Sequence, residues 1–246
     1  MSVAQVGVVW VLGGGSGIGR GAAVALAASA STVVVSGRRR AELVTTVEEI
    51  TAAGGRGVVL PLDVSDADAV QSAADRIREE HGGVGVLIYS AGTNVRNRFW
   101  ADTTPEDYAR VVDINLTGAM RAVHAVLPGM RERGGGLVML VSSWAGWRFA
   151  PGVGAGYSTS KTALGALAET INAQERLQGI RATHFCPGEV ATEILDTRPN
   201  PPSATERELM LTADDVGGAI RWIAELPARV CVNEIVFTPT TNTSYA

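Results

Sequence analysis

A chain of 246 residues with 46% apolar and only 19% charged side chains can bury one sizeable core. Its net charge of −4 leaves no basic footprint, which argues against general nucleic-acid binding. No apolar run reaches the ~18 residues of a membrane span, and no basic stretch precedes an apolar one at the N-terminus. The expectation is a cytoplasmic protein with no membrane segment and no secretory leader.

Taken in order, the elements alternate. Val6–Leu12 reads as a buried strand, Gly17 to about Ser29 as a small-residue helix and Thr32–Ser36 as a second strand. Helical periodicity from Arg40 to about Ala53 stops at Gly54-Gly55. Gly57–Leu62 reads as a third strand, and Ser65 or Asp66 caps a helix running to Gly82. Val84–Ser90 is a fourth strand. Thr104-Pro105-Glu106 then opens one long helix to about Arg133, with a capping residue, Pro at the first helical position and acids in the first turn. A fifth strand over Leu137–Ser142, a helix from Tyr157 to about Gln178, a sixth strand over Arg181–Cys186, a helix over Ala213–Leu226 and a strand over Glu234–Thr238 complete the series.

The strands are continuous apolar runs, not alternating ones. That pattern indicates burial on both faces and so a parallel sheet, doubly wound with helices on either side in a single α/β domain of the Rossmann type over 1–246. One segment breaks the rhythm. Residues 189 to about 212, with Pro199, Pro201 and Pro202, read as an irregular lid over a substrate site. Cys186 and Cys231 match no metal or redox motif, and each falls in an apolar run, so both are expected as buried free thiols. His81, His124 and His184 are scattered along the chain, so no metal is expected.

Chemistry enters at the first strand-to-helix junction. Gly13, Gly17 and Gly19 give the spacing G-x-x-x-G-x-G directly after the first strand. A helix N-terminus with free N–H groups receives a pyrophosphate, and glycines let the backbone approach it. The contacts expected from this turn are Gly13, Gly15, Ser16, Gly17, Ile18 and Gly19. The second strand ends in Ser36-Gly37-Arg38-Arg39-Arg40, with no acid to accept bonds from a ribose 2′-hydroxyl. Arginines there pair with a 2′-phosphate, so NADP(H) is the expected cofactor, with Arg38 the first choice for the contact and Arg39 the second.

Tyr157 and Lys161 stand four apart, neighbours on one helix face. That spacing is weak by itself; its context is not. A strand ending in Ser142-Ser143 precedes it, and Asn115 lies on the long helix before that. With these residues in order the chain resembles the short-chain dehydrogenase/reductase family from the Gly-rich turn to about Thr192. The resemblance implies adenine contacts at Asp63-Val64 and a cofactor turn at Ser90, Ala91 and Gly92. It implies a catalytic tetrad of Asn115, Ser143, Tyr157 and Lys161, and a turn beside the nicotinamide in which Pro187, Gly188, Val190 and Thr192 take part. Leu12 and Ser90 depart from the family's usual threonine and asparagine. The Ser143-to-Tyr157 spacing is one longer than usual, which leaves Ser142 as a fallback serine. The ending Asn233 to Pro239 lacks the Gly-Gly of ketoacyl-carrier-protein reductases.

The resemblance also implies the roles. Tyr157 exchanges the proton, its phenolate favoured by Lys161 and the nicotinamide charge; Ser143 holds the substrate oxygen; Asn115 supports a water that feeds Lys161. The leading expectation is NADPH-dependent reduction of a ketone or 3-oxo compound, with oxidation of a secondary alcohol or sugar as the alternative and a non-catalytic NADP sensor as the least favoured reading. Trp144, Trp147, Phe149, Asn94, Arg96, Arg98, Glu189 and Ile194 are candidates to line the substrate pocket. A homo-oligomer, dimer or tetramer, is expected to form through the 104–133 and 157–178 helices.

Overall fold

The computed structural model describes residues 6–242. Seven parallel strands form one sheet in the order β3-β2-β1-β4-β5-β6-β7. They are β1 Val8–Leu12, β2 Thr32–Ser36, β3 Gly57–Val59, β4 Val84–Tyr89, β5 Gly136–Val141, β6 Ile180–Pro187 and β7 Glu234–Phe237. The connecting helices are α1 Gly17–Ala25, α2 Arg40–Ala52, α3 Ala67–His81, α4 Pro105–Val112, α5 Gly118–Arg133, the single turn α6 Trp144–Trp147, α7 Ala155–Glu175, α8 Ala204–Glu208 and α9 Ala213–Glu225. The strand order reverses between β1 and β4, and a crevice opens there beyond the carboxyl ends of the strands.

Two apolar cores explain the continuous strand runs. Side chains of one pleat face, among them Trp10, Leu87, Tyr89 and Leu140, pack with α3, α5 and α7. Those of the other face, including Val11, Val35, Ile88 and Phe185, pack with α1, α2 and α9. Trp10, Tyr89 and Phe185 are each fully buried, and a large side chain so buried contributes about 1.5–3 kcal/mol. Trp10 keeps its indole N–H satisfied by donating to the Ser36 hydroxyl at 2.9 Å. The contact between α1 and α9 is closer than side chains allow: a Cβ on Gly21 would lie 2.3 Å from the Ala213 carbonyl oxygen, and one on Gly217 2.5 Å from that of Gly21.

Four expectations need correction. The run 104–133 is not one α-helix: residues Asp113–Thr117 form a π-helical turn between α4 and α5. Such a turn changes the backbone bonding without changing side-chain periodicity enough to mark itself in sequence. The third strand ends at Val59, since beyond it the chain continues with single bonds, Leu60 N–H to Val35 O and Leu62 N–H to Gly37 O. Cys231 is exposed and precedes β7, whereas Cys186 is buried in β6 as expected. His184 is not isolated: its Nδ1 lies 2.9 Å from a Glu234 carboxylate oxygen, and Cys186 Sγ lies 3.4 Å from its Nε2.

The 189–212 segment carries more order than an irregular lid. A parallel bridge between Val190 and Leu211 closes its base, with Ala191 N–H donating to Leu211 O and Leu211 N–H to Glu189 O. Inside it lie a 3₁₀ turn at Glu193–Thr197 and α8, the latter opened by a capping box between Ser203 and Glu206. Arg198 pairs with Glu189 at 2.8 Å, and Arg207 with Asp196.

Candidate active site

A cavity of about 800 Å³ fills the crevice. Its floor begins at the Gly-rich turn. Gly13 and Gly14 N–H groups both donate to Ser36 O, which ties the turn to the end of β2. A Cβ on Gly13 would lie 2.6 Å from Ala91 N, and one on Gly19 2.2 Å from Gly13 O. No side chain can stand at either place, so the backbone of the turn folds flat against the β4 loop and α1. Gly15, Ser16, Gly17 and Ile18 face the cavity with Gly13, while Gly19 lies behind it in α1.

Arg38 and Arg39 line the same end, where β2 stops. The Arg39 guanidinium reaches Ser16 Oγ at 3.2 Å and Glu193 at 3.2 Å, while Arg38 acts through charge on Asp63. Burial works to raise the Asp63 pKa, but Ser65 donates to it from backbone and hydroxyl, and with Arg38 and Arg121 nearby the carboxylate stays below its ordinary value. Val64, Ser90, Ala91 and Gly92 complete this wall, and Pro187, Gly188, Val190 and Thr192 form the wall opposite.

Ser143, Tyr157 and Lys161 converge at the far end. Ser143 caps α6, its Oγ accepting from Ala145 N–H at 3.2 Å, and it lines the cavity together with Tyr157. The short α6 and the loop to Gly154 take up the extra residue between Ser143 and Tyr157. Lys161 is buried; its ammonium donates to Val141 O at 2.8 Å and stands 5.8 Å from the Tyr157 ring centre. Burial lowers its pKa to about 8. The Tyr157 pKa is raised, chiefly by burial, against the nearby Ser143 hydroxyl and the charges of Arg198 and Arg98. That differs from the expected lowering by Lys161, whose charge is spent on a carbonyl; in the protein alone the phenol is neutral.

Ser142, the fallback serine, is committed elsewhere, donating to Lys161 O at 2.8 Å. Asn115 is fully buried in the π-helical turn. Its amide donates to Thr93 O and to Ser160 Oγ, and its Oδ1 accepts from Thr93 N–H, which clips the β4 loop to α7 behind the cavity wall. A Cβ on Gly92 would lie between Lys161 Nζ at 3.4 Å and Asn115 Oδ1 at 3.6 Å. Trp144, Phe149, Asn94, Arg98, Glu189 and Ile194 line the cavity; Trp147 packs edge-on to Trp144 behind it and Arg96 is exposed away from it. Sequence reasoning missed Thr93, Ser160, Phe99 and Arg198. Thr93 and Ser160 had a usable signal, since each adjoins a predicted motif; Phe99 and Arg198 had none.

Comparison with known proteins decides the family. The short chain dehydrogenase model matches residues 7–202. The chain belongs to the short-chain dehydrogenase family. Its relatives include glycine betaine reductase ATRR of Emericella nidulans, 32% identical over 240 residues. That match covers 94% of this chain but only 18% of the relative, and the chain spans 32% of the length of a probable oxidoreductase EphD of Mycobacterium tuberculosis. An uncharacterized oxidoreductase of Myxococcus xanthus matches at 36% identity, over 89% of each chain. Among solved structures, that of actinorhodin polyketide ketoreductase with NADPH superposes with a TM-score of 0.84 at 25% identity, covering 95% of this chain and 96% of that one. The short-chain dehydrogenase fold of these structures is the seven-stranded Rossmann-type sheet described above. No helix among the described residues is long and apolar enough to cross a membrane.

Proposed function

We propose that this chain reduces a ketone or 3-oxo small molecule to a secondary alcohol, with NADP(H) as cofactor and Tyr157 as the proton donor. The residues fit the cofactor: Gly15, Ser16, Gly17 and Ile18 face the cavity at the start of α1, on a turn held flat by the backbone contacts of Gly13 and Gly19, and Arg38 and Arg39 stand at the end where a 2′-phosphate needs cations. When bound, NADPH supplies the hydride. The chain's own residues handle the proton and the developing charge.

The observation that carries this reading is the convergence of Ser143, Tyr157 and Lys161 at one end of a cavity whose other end holds the Gly-rich turn, Arg38 and Arg39. A protonated phenol on the cavity wall can give its proton to a carbonyl oxygen, the step that reduction needs. Ser143 Oγ donates to the substrate oxygen and fixes it beside the phenol, stabilising the charge that develops there. The Lys161 ammonium, close to neutral pH in its own titration, supplies positive charge as the phenol gives up its proton. Asn115 positions the β4 loop and α7 around Lys161 and supports a water-borne proton supply to it. The 189–212 segment serves as the substrate lid, closed at its base by the Val190–Leu211 bridge.

Tyr157→Phe is expected to lower kcat by roughly 10²–10⁴-fold, the usual contribution of a positioned general acid, while NADPH fluorescence still reports cofactor binding. Near-normal turnover in that variant overturns the assignment. The same reading makes the protein a cytoplasmic homo-oligomer, with free thiols at Cys186 and Cys231. Tyr108 on α4 and Met120 on α5, both about half exposed, sit on the helix faces proposed for the contact.

A further inference from the structure

Arg98 stands out in the substrate half of the cavity. It follows β4, lines the cavity and is only 7% exposed. Its stem packs on the entry to α7: a Cβ on Gly154 would lie 2.7 Å from Arg98 Cβ, three residues before Tyr157. Its head reaches across to the lid. Nε donates to Val95 O at 2.9 Å and Nη2 to Thr197 O at 3.0 Å. Among the described residues Nη1 has no partner and no carboxylate lies within ion-pair distance of the guanidinium. The one acid on this part of the wall, Glu189, is already paired with Arg198 at 2.8 Å. The guanidinium is thus answered by two neutral carbonyls and no counter-charge, on the wall of a cavity that could bring one. Burial accordingly lowers its pKa, and Arg198 lowers it further.

A loop staple would not need a permanent charge, since a neutral donor satisfies a carbonyl equally well. Aromatic side chains also line this part of the cavity: Trp144 is buried, while Phe149 and Phe99 are 85% and 54% exposed. Resting on the reductase reading, we propose that the substrate carries a carboxylate as well as the reacting carbonyl, and that Arg98 receives it between Tyr157 and the lid, with an apolar body against Phe99, Trp144 and Phe149. Arginine matches a carboxylate in shape and charge and gives it up only at the cost of an unpaired buried cation.

The test is a series of unbranched oxo-acids, with the ketone two to six carbons from the carboxyl, each paired with its methyl ester and assayed by NADPH oxidation. For the best acid, kcat/KM should exceed that of its ester by roughly ten- to a hundredfold, as expected for a charge-assisted bond. In Arg98→Met that ratio should fall to near one, chiefly through KM of the acid, with Arg98→Lys restoring part of it. The ratio is the readout because loss of the bonds to Val95 and Thr197 slows acid and ester together. Esters consumed as well as acids by the native enzyme overturn the carboxylate assignment and leave the reductase standing. A ratio that survives in Arg98→Met overturns the role of Arg98. No oxidation with any member, despite NADPH binding, overturns both.

Discussion

Lys161→Met should make the cofactor-free protein more stable near neutral pH while abolishing turnover. The Lys161 ammonium is 96% buried, and burial lowers its pKa from 10.5 to about 8. Below pH 8 it is charged in both folded and unfolded chains, so the folded state bears the full cost of the buried charge, about 3 kcal/mol. Between about pH 8 and 10.5 the folded chain has lost the proton and the unfolded chain still holds it. Native stability therefore rises with pH through that window. Methionine fills the same space without charge but forfeits the 2.8 Å bond to Val141 O, worth about 1 kcal/mol. The variant should thus gain about 2 kcal/mol at pH 7, and that gain should shrink steadily above pH 8. Urea unfolding followed by tryptophan fluorescence, at pH 7, 8, 9 and 10 without cofactor, measures it. A variant less stable at pH 7, or a difference flat across the range, refutes the placement of an uncompensated charge here.

Arg38→Ala and Arg39→Ala are each expected to lower kcat/KM for NADPH by roughly tenfold or more, with NADH changed little; an unchanged NADPH-to-NADH ratio in both variants removes the 2′-phosphate from this pair. Light scattering on a sizing column should give a dimer or tetramer, and Met120→Glu, on the α5 face, should shift it toward smaller species. A monomeric native protein ends the proposal for those helices.

The alternation of buried strands and small-residue helices was readable because burial on both sheet faces forces unbroken apolar runs such as Val33–Val35 and Val138–Val141. The Gly-rich turn was readable because backbone-to-backbone approach leaves glycine as the one residue that fits. Other features had no such imprint. A π-helical turn at Asn115 keeps the same residue types as the helices around it, so the 104–133 run looked uniform. The meeting of His184 with Glu234 depends on β6 and β7 lying side by side, which spacing along the chain does not reveal. Cys231 looked like a strand residue because Val230 and Val232 flank it, yet β7 begins only at Glu234. Arg98 was visible as a pocket candidate; its burial without a counter-charge required the lid in place.

The backbone contact of Gly21 with α9 bears on how such an enzyme diversifies. The segment 189–212 enters beside β6, is bridged at its base, and leaves directly into α9, which is locked onto the helix carrying the Gly-rich turn. Both of its attachment points are therefore held by the redox scaffold, not by the segment's own sequence. Past Thr192 and Glu193, which meet the Gly-rich turn and Arg39, the residues from Ile194 to Met210 can be exchanged as a cassette without disturbing the dinucleotide cradle. Selection on what the enzyme accepts and selection on how it moves electrons can thus proceed on separate stretches of the same chain.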